Sequence, residues 1–212
     1  MKEITKRYYL YPVWIRFWHL LNALLFLVLI FTGISMQYAG NKADGTSLIR
    51  FEQAVKWHNI AAIILVVNYG FFIIGNAVTK NGKYYRIKRG GLFRDLGIQF
   101  RYYAIGMFRN EKHPFEINEE NKFNPLQKIT YAAVIYIFMP LLILSGIALL
   151  FPEIIVRQIF NVSGVLLTDL VHVCVGFLLS IFMIIHIYTC TLGHKPGTLF
   201  KSIIDGYHEH YD

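Results

Sequence analysis

Charge is scarce in this sequence. Only 16% of its 212 residues are Asp, Glu, Lys or Arg, against about a quarter in an ordinary soluble domain. Cysteine is scarcer: Cys174 and Cys190 are the two in the chain, and they lie in one apolar run. A continuous helix would hold them about 24 Å apart, too far for a bridge, so a disulfide scaffold is excluded. P-loops, dinucleotide fingerprints and nucleophile triads are also absent. The chain is instead 55% hydrophobic and 16% aromatic, which excludes disorder.

The apolar residues are gathered into four charge-free runs. Phe17 to Asn41 holds 25 residues, Trp57 to Thr79 holds 23, Ile129 to Pro152 holds 24 and Leu170 to His194 holds 25. Each exceeds the roughly 20 residues that cross a hydrocarbon core as a helix. None shows the polar face that a soluble helix needs. The expectation is an all-α integral membrane protein: one domain over 1–212, a four-transmembrane-helix bundle with spans at about 14–38, 55–79, 129–151 and 167–192.

Lys and Arg orient it. The N-terminal segment, the loop 80–128 and the tail 193–212 carry 17 of them, and the other side carries four. The positive-inside rule places both termini and the long loop in the cytoplasm, N-in and C-in. The net charge of +8 then reflects topology and lipid contact, as in Arg86-Ile87-Lys88-Arg89, and nucleic acid is not an expected partner. Within the loop, Leu92 to Tyr103 mixes large apolar residues with Arg, the pattern of either an interfacial helix or a helix packed on the bundle. Glu111 to Asn124 reads as a turn-rich connection.

Four of the eight histidines sit inside spans: His19, His58, His172 and His186. Ionisable groups there are costly and mark functional interiors. Their depths follow from the direction of each span. His19 and His186 fall near the cytoplasmic face, and His58 and His172 near the periplasmic face. On the fourth span the fourteen residues from His172 to His186 fall about 40° short of four full turns and rise about 21 Å. One helix thus offers one imidazole to each of two stacked sites. Zinc ordinarily takes four ligands, and apart from Asp169 neither level offers a carboxylate or thiol. Two opposed imidazoles suit a haem iron, which then carries electrons rather than binding oxygen. No C-x-x-C-H occurs, so the haem is non-covalent. Gly33 and Gly146, mid-span, are candidates for close approach of the macrocycle or for tight helix packing. A short echo accompanies them: Phe31-Thr32-Gly33-Ile34 returns as Leu144-Ser145-Gly146-Ile147, and His58 as His172.

These residues resemble the four-helix, di-haem cytochrome b subunits of membrane-bound nickel–iron hydrogenases and formate dehydrogenases. The motifs are Pro12-Val13-Trp14-Ile15-Arg16-Phe17-Trp18-His19, Lys56-Trp57-His58-Asn59, Asn124-Pro125-Leu126-Gln127-Lys128, and Val171-His172 with Ile185-His186-Ile187-Tyr188. The likeness covers about residues 10 to 205. The hydrogenase members have a further C-terminal span, and no fifth apolar run follows His194 here. The resemblance implies two b haems, a quinone pocket near the cytoplasmic one, and a periplasmic redox partner carrying iron–sulfur clusters or haems, all at the bacterial inner membrane. Asn124 and Gln127, one turn apart at the cytoplasmic end of the third span, are the candidates for quinone, with helix capping as the other reading. Arg16, one turn before His19, is a candidate propionate partner or an interfacial anchor. The functional expectation is an electron-transfer subunit between that partner and the quinone pool. The alternatives are a stand-alone superoxide-oxidising quinone oxidoreductase and a haem-free transporter or assembly protein. His113 reads as a loop residue, His194 as a surface residue, Asp169 as an interface residue, and His208-Glu209-His210 as a solvated tail or an adventitious metal site.

Overall fold

The structure, a computed structural model, describes residues 4–38, 49–87, 90–109, 111–193 and 196–211. In chain order its elements are β1 (Ile4–Tyr9), α1 (Val13–Tyr38), α2 (Phe51–Val78), α3 (Leu92–Ala104), α4 (Pro125–Ala133), a π-helical turn (Val134–Phe138), α5 (Met139–Leu150), β2 (Gln158–Ile159), β3 (Val162–Ser163), α6 (Gly164–Cys190), α7 (Thr198–Asp205) and β4 (Tyr207–Tyr211). Four helical stretches, 13–38, 51–78, 125–150 and 164–190, are long and apolar enough to cross a membrane. The π turn lies just before Pro140, a residue that lacks the N–H and crowds the carbonyl four positions earlier. Widening that turn relieves the crowding and keeps the helix going. His194, Lys88 and Arg89 lie outside the described residues.

The chain divides into two compact units. One comprises residues 13–74 and 141–186. Its surface is apolar: Val67 is 68% exposed, Phe177 66% and Ile184 65%. Its interior includes Thr32, Ser35, Asn68 and Ser145, all buried. This inversion of the soluble pattern suits a lipid solvent, where small and polar residues join helices. The short hairpin β2–β3 turns through Phe160 and Asn161, both with positive φ, as a two-residue hairpin of type I′ requires.

The other unit comprises residues 1–12, 75–140 and 187–212. Here the all-α expectation needs a supplement. β1 pairs antiparallel with β4, setting Arg7 against Glu209 and Tyr9 against Tyr207. The tail is therefore not a solvated end. Lys201 Nζ lies 3.0 Å from Glu209 and Arg7 lies 3.5 Å from Asp205. The Gly206 carbonyl accepts from the N–H groups of Leu10 and Tyr11. Gly206 has φ +90°, and a Cβ there would lie 2.8 Å from the Tyr11 carbonyl oxygen, so only glycine fits. Lys122 is 2% exposed and has no carboxylate beside it among the described residues. Its Nζ donates to Asn81 Oδ1 at 3.2 Å and sits 4.5 Å from the Tyr11 ring centroid and 5.4 Å from that of Tyr84. Burial lowers its pKa to about 8.

Leu92 to Tyr103 are helical, as both readings of the stretch expect. One face packs within this unit and leaves Gln99 fully buried. On another stripe Phe93 is 87% and Phe100 69% exposed. Seven residues at about 100° each put these two rings about 20° apart, an apolar ridge of the kind that enters a headgroup region.

Candidate functional site

The four intramembrane histidines all belong to the unit of residues 13–74 and 141–186, and the structure brings them together in the two pairs that depth implied. His19 on α1 faces His186 on α6 with ring centroids 6.0 Å apart. His58 on α2 faces His172 on α6 at 6.3 Å. A metal–imidazole bond of about 2.0–2.1 Å, added to about 1.1 Å from ring nitrogen to centroid, puts two in-line imidazoles about 6.3 Å apart across one metal. The His58–His172 pair has that separation, and the His19–His186 pair is 0.3 Å closer. Among the described residues no group of three or more His, Cys, Asp or Glu gathers anywhere. The donor set is thus two imidazoles per level, too few for a closed zinc site and the number a haem takes.

The walls differ between levels. At the His58–His172 pair, both histidines are held by hydroxyl groups on a neighbouring helix. Thr32 Oγ1 lies 2.9 Å from His58 Nδ1, and Ser145 Oγ lies 2.9 Å from His172 Nδ1. The glycines stand next in sequence. A Cβ on Gly33 would be 3.8 Å from His58 Cε1, and one on Gly146 would be 3.1 Å from His172 Cε1. At the other level the walls are aromatic. Phe182 stacks near His186 at 5.9 Å. Trp18 lies edge-on to His19 at 6.4 Å and stacks on Phe72 at 3.8 Å. His19 Nδ1 is buried and makes no hydrogen bond among the described residues. An imidazole nitrogen without a partner in an apolar site is poised for a ligand.

The family model described as prokaryotic cytochrome b561 matches residues 10–206. The chain belongs to this family. It is a multi-pass membrane cytochrome b of the bacterial inner membrane, built for electron transport. One similar protein is "Putative cytochrome YdhU" from Escherichia coli strain K12, 36% identical over 205 residues, which cover 97% of this chain and 76% of that protein. No solved structure matches the chain.

The other residues singled out in this cytochrome fall as follows. Asn124 and Gln127 form a complete capping box at the start of α4. Asn124 Oδ1 accepts from the Gln127 N–H, and Gln127 Oε1 from the Asn124 N–H. Asn124 Nδ2 donates to Tyr103 Oη at 3.0 Å. The capping reading is therefore realised, and the Gln127 Nε2 is the amide group left outside it. Arg16 is half-buried on α1, three residues before His19, and Asp169 is exposed. Tyr103, whose hydroxyl pKa burial raises, and Gln99 escaped the sequence reading because a loop helix carries no mark of what it covers. Thr32 and Ser145 were visible only as an echo between two apolar runs.

Proposed function

We propose that this cytochrome binds two b haems, one between His19 and His186 and one between His58 and His172. It passes electrons between a redox partner on the periplasmic side and the quinone pool. The observation that carries the reading is the repeated imidazole spacing of 6.0 and 6.3 Å, at two points of α6 about 21 Å apart along the axis. Held between two imidazoles, a b haem would supply one-electron transfer. The chain's part is to hold the two imidazoles of each pair facing one another, to exclude water with Trp18, Phe72 and Phe182, and to leave room for a flat macrocycle beside Gly33 and Gly146. Arg16 is the proposed partner of a haem propionate. Gln127, through Nε2, is the proposed hydrogen-bonding residue for quinone, with Asn124 positioning it through the capping box. The 17 Lys and Arg assigned to one side support a cytoplasmic loop and termini. The opposite side is then open to a partner carrying iron–sulfur clusters or haems.

The test is quantitative haem analysis of the purified protein with a reduced-minus-oxidised spectrum. Two non-covalent b haems per chain are expected, one absent in His19→Ala and the other in His58→Ala. A folded, unstripped preparation without haem would overturn the reading and return the histidines to helix packing. Purification from its own membranes then asks whether a second redox subunit comes with it. A chain that stays alone while oxidising or reducing quinone would remove the partner.

A further inference from the structure

The two hydroxyl groups at the His58–His172 level have an office beyond packing. Each hydroxyl carries one proton, and the geometry shows where it goes. Thr32 Oγ1 lies 2.7 Å from the Val28 carbonyl oxygen, and Ser145 Oγ lies 2.7 Å from that of Leu141. Those contacts commit the hydroxyl protons to the preceding turn of their own helices. Toward histidine the oxygens have only lone pairs left, so at 2.9 Å the imidazole must donate. The proton of each neutral ring is therefore on Nδ1, and the lone pair is on Nε2. Thr32 is 2% exposed and Ser145 7%, so water does not compete for these bonds.

We infer that Thr32 and Ser145 are positioning residues that fix the tautomer of His58 and His172, aim Nε2 at the haem iron, and lower the reduction potential of that haem. The inference rests on the two-haem reading above. A ligand imidazole that donates its other N–H is oriented and made more basic. A more basic ligand stabilises ferric iron over ferrous, and bonds of this second layer are a recognised lever on potential. The device is built twice, since Thr32 with His58 and Ser145 with His172 make the same pair of contacts at the same distances in the two halves of the sequence. His19 is different, because its Nδ1 makes no hydrogen bond among the described residues. Among the described residues no hydroxyl holds His19 in this way, so the effect is expected at the His58–His172 level.

Potentiometric titration of the haem-loaded protein tests this, with His58→Ala identifying which signal belongs to which level. In Thr32→Val with Ser145→Ala, the midpoint of the His58–His172 haem is expected to rise. The reduction equilibrium should change at least threefold, about 28 mV given 59 mV per tenfold for one electron, while the other haem stays put. Thr32→Ser should keep the wild-type value. Loss of this haem in the double variant, with retention in Thr32→Ser, would also support positioning. An unshifted midpoint in the double variant, or a Thr32→Ser that shifts it as far as Thr32→Val, would overturn the inference while leaving the two-haem reading intact. A wild-type protein without haem would end both.

Discussion

Gly33 and Gly146 occupy equivalent places in the echo, yet they are expected to respond differently to alanine. At Gly33 the new Cβ would meet His58 Cε1 at 3.8 Å, an ordinary contact. At Gly146 it would meet His172 Cε1 at 3.1 Å and Nδ1 at 3.6 Å. His172 must then give by a few tenths of an ångström, and its Nδ1 is tied to Ser145 at 2.9 Å. Overpacking of this kind costs about 1–3 kcal/mol. If the ring moves rather than the helix, the cost falls on the axial ligand, a roughly 5- to 150-fold loss of haem affinity at that level. The assay is the rate and extent of haem loss to an excess of a haem-scavenging protein, followed separately for the two haems. Gly146→Ala should shed the His58–His172 haem and keep the other, while Gly33→Ala should match wild type. Equal retention in both variants would refute the argument that the ring, and not the backbone, absorbs the strain.

Two further predictions concern the other unit. Lys122 has a pKa of about 8 in the fold against about 10.4 in an unfolded chain. Between those values the unfolded chain binds more protons, so stability rises with pH, by about 3 kcal/mol across the window. Lys122→Met should abolish that rise, so the lead of the variant over wild type in thermal-melting temperature should be widest below pH 8 and close toward pH 10. Parallel curves would show that the charge is not buried in solution. On α3, tryptophan placed at Phe100 should be quenched by lipids brominated near the headgroup, and tryptophan placed at the buried Gln99 should not. Equal quenching at both positions would remove the interfacial ridge.

Much of the architecture was legible because its signals are local. A charge-free run of 23 to 25 residues states its own secondary structure and solvent. Lys and Arg at the run ends give direction, and direction gives each histidine a depth. The pairing of His19 with His186 and of His58 with His172 follows from depth alone. What escaped depends on non-local geometry. Nothing in Lys6-Arg7-Tyr8-Tyr9 announces a strand whose partner is Tyr207 to His210. Thr32 and Ser145 are inconspicuous in apolar sequence until an interhelical distance shows where their lone pairs point. Asn124 and Gln127 admitted two chemistries in the sequence, since a residue pair fit to cap a helix is also fit to meet a polar ligand. In the fold they cap.

The β1–β4 pairing constrains how the protein is made. Tyr9 finds Tyr207 only after all four long apolar helices have left the ribosome, so this clasp has a large loop to close. It also fixes parity. Two segments that hydrogen-bond must share one side of the bilayer, and they can do so only after an even number of crossings. A chain in which one helix failed to insert would be left with its β4 strand on the wrong side and β1 unpaired. The small sheet is thus expected to form only in chains whose helices have crossed the membrane an even number of times between its two strands.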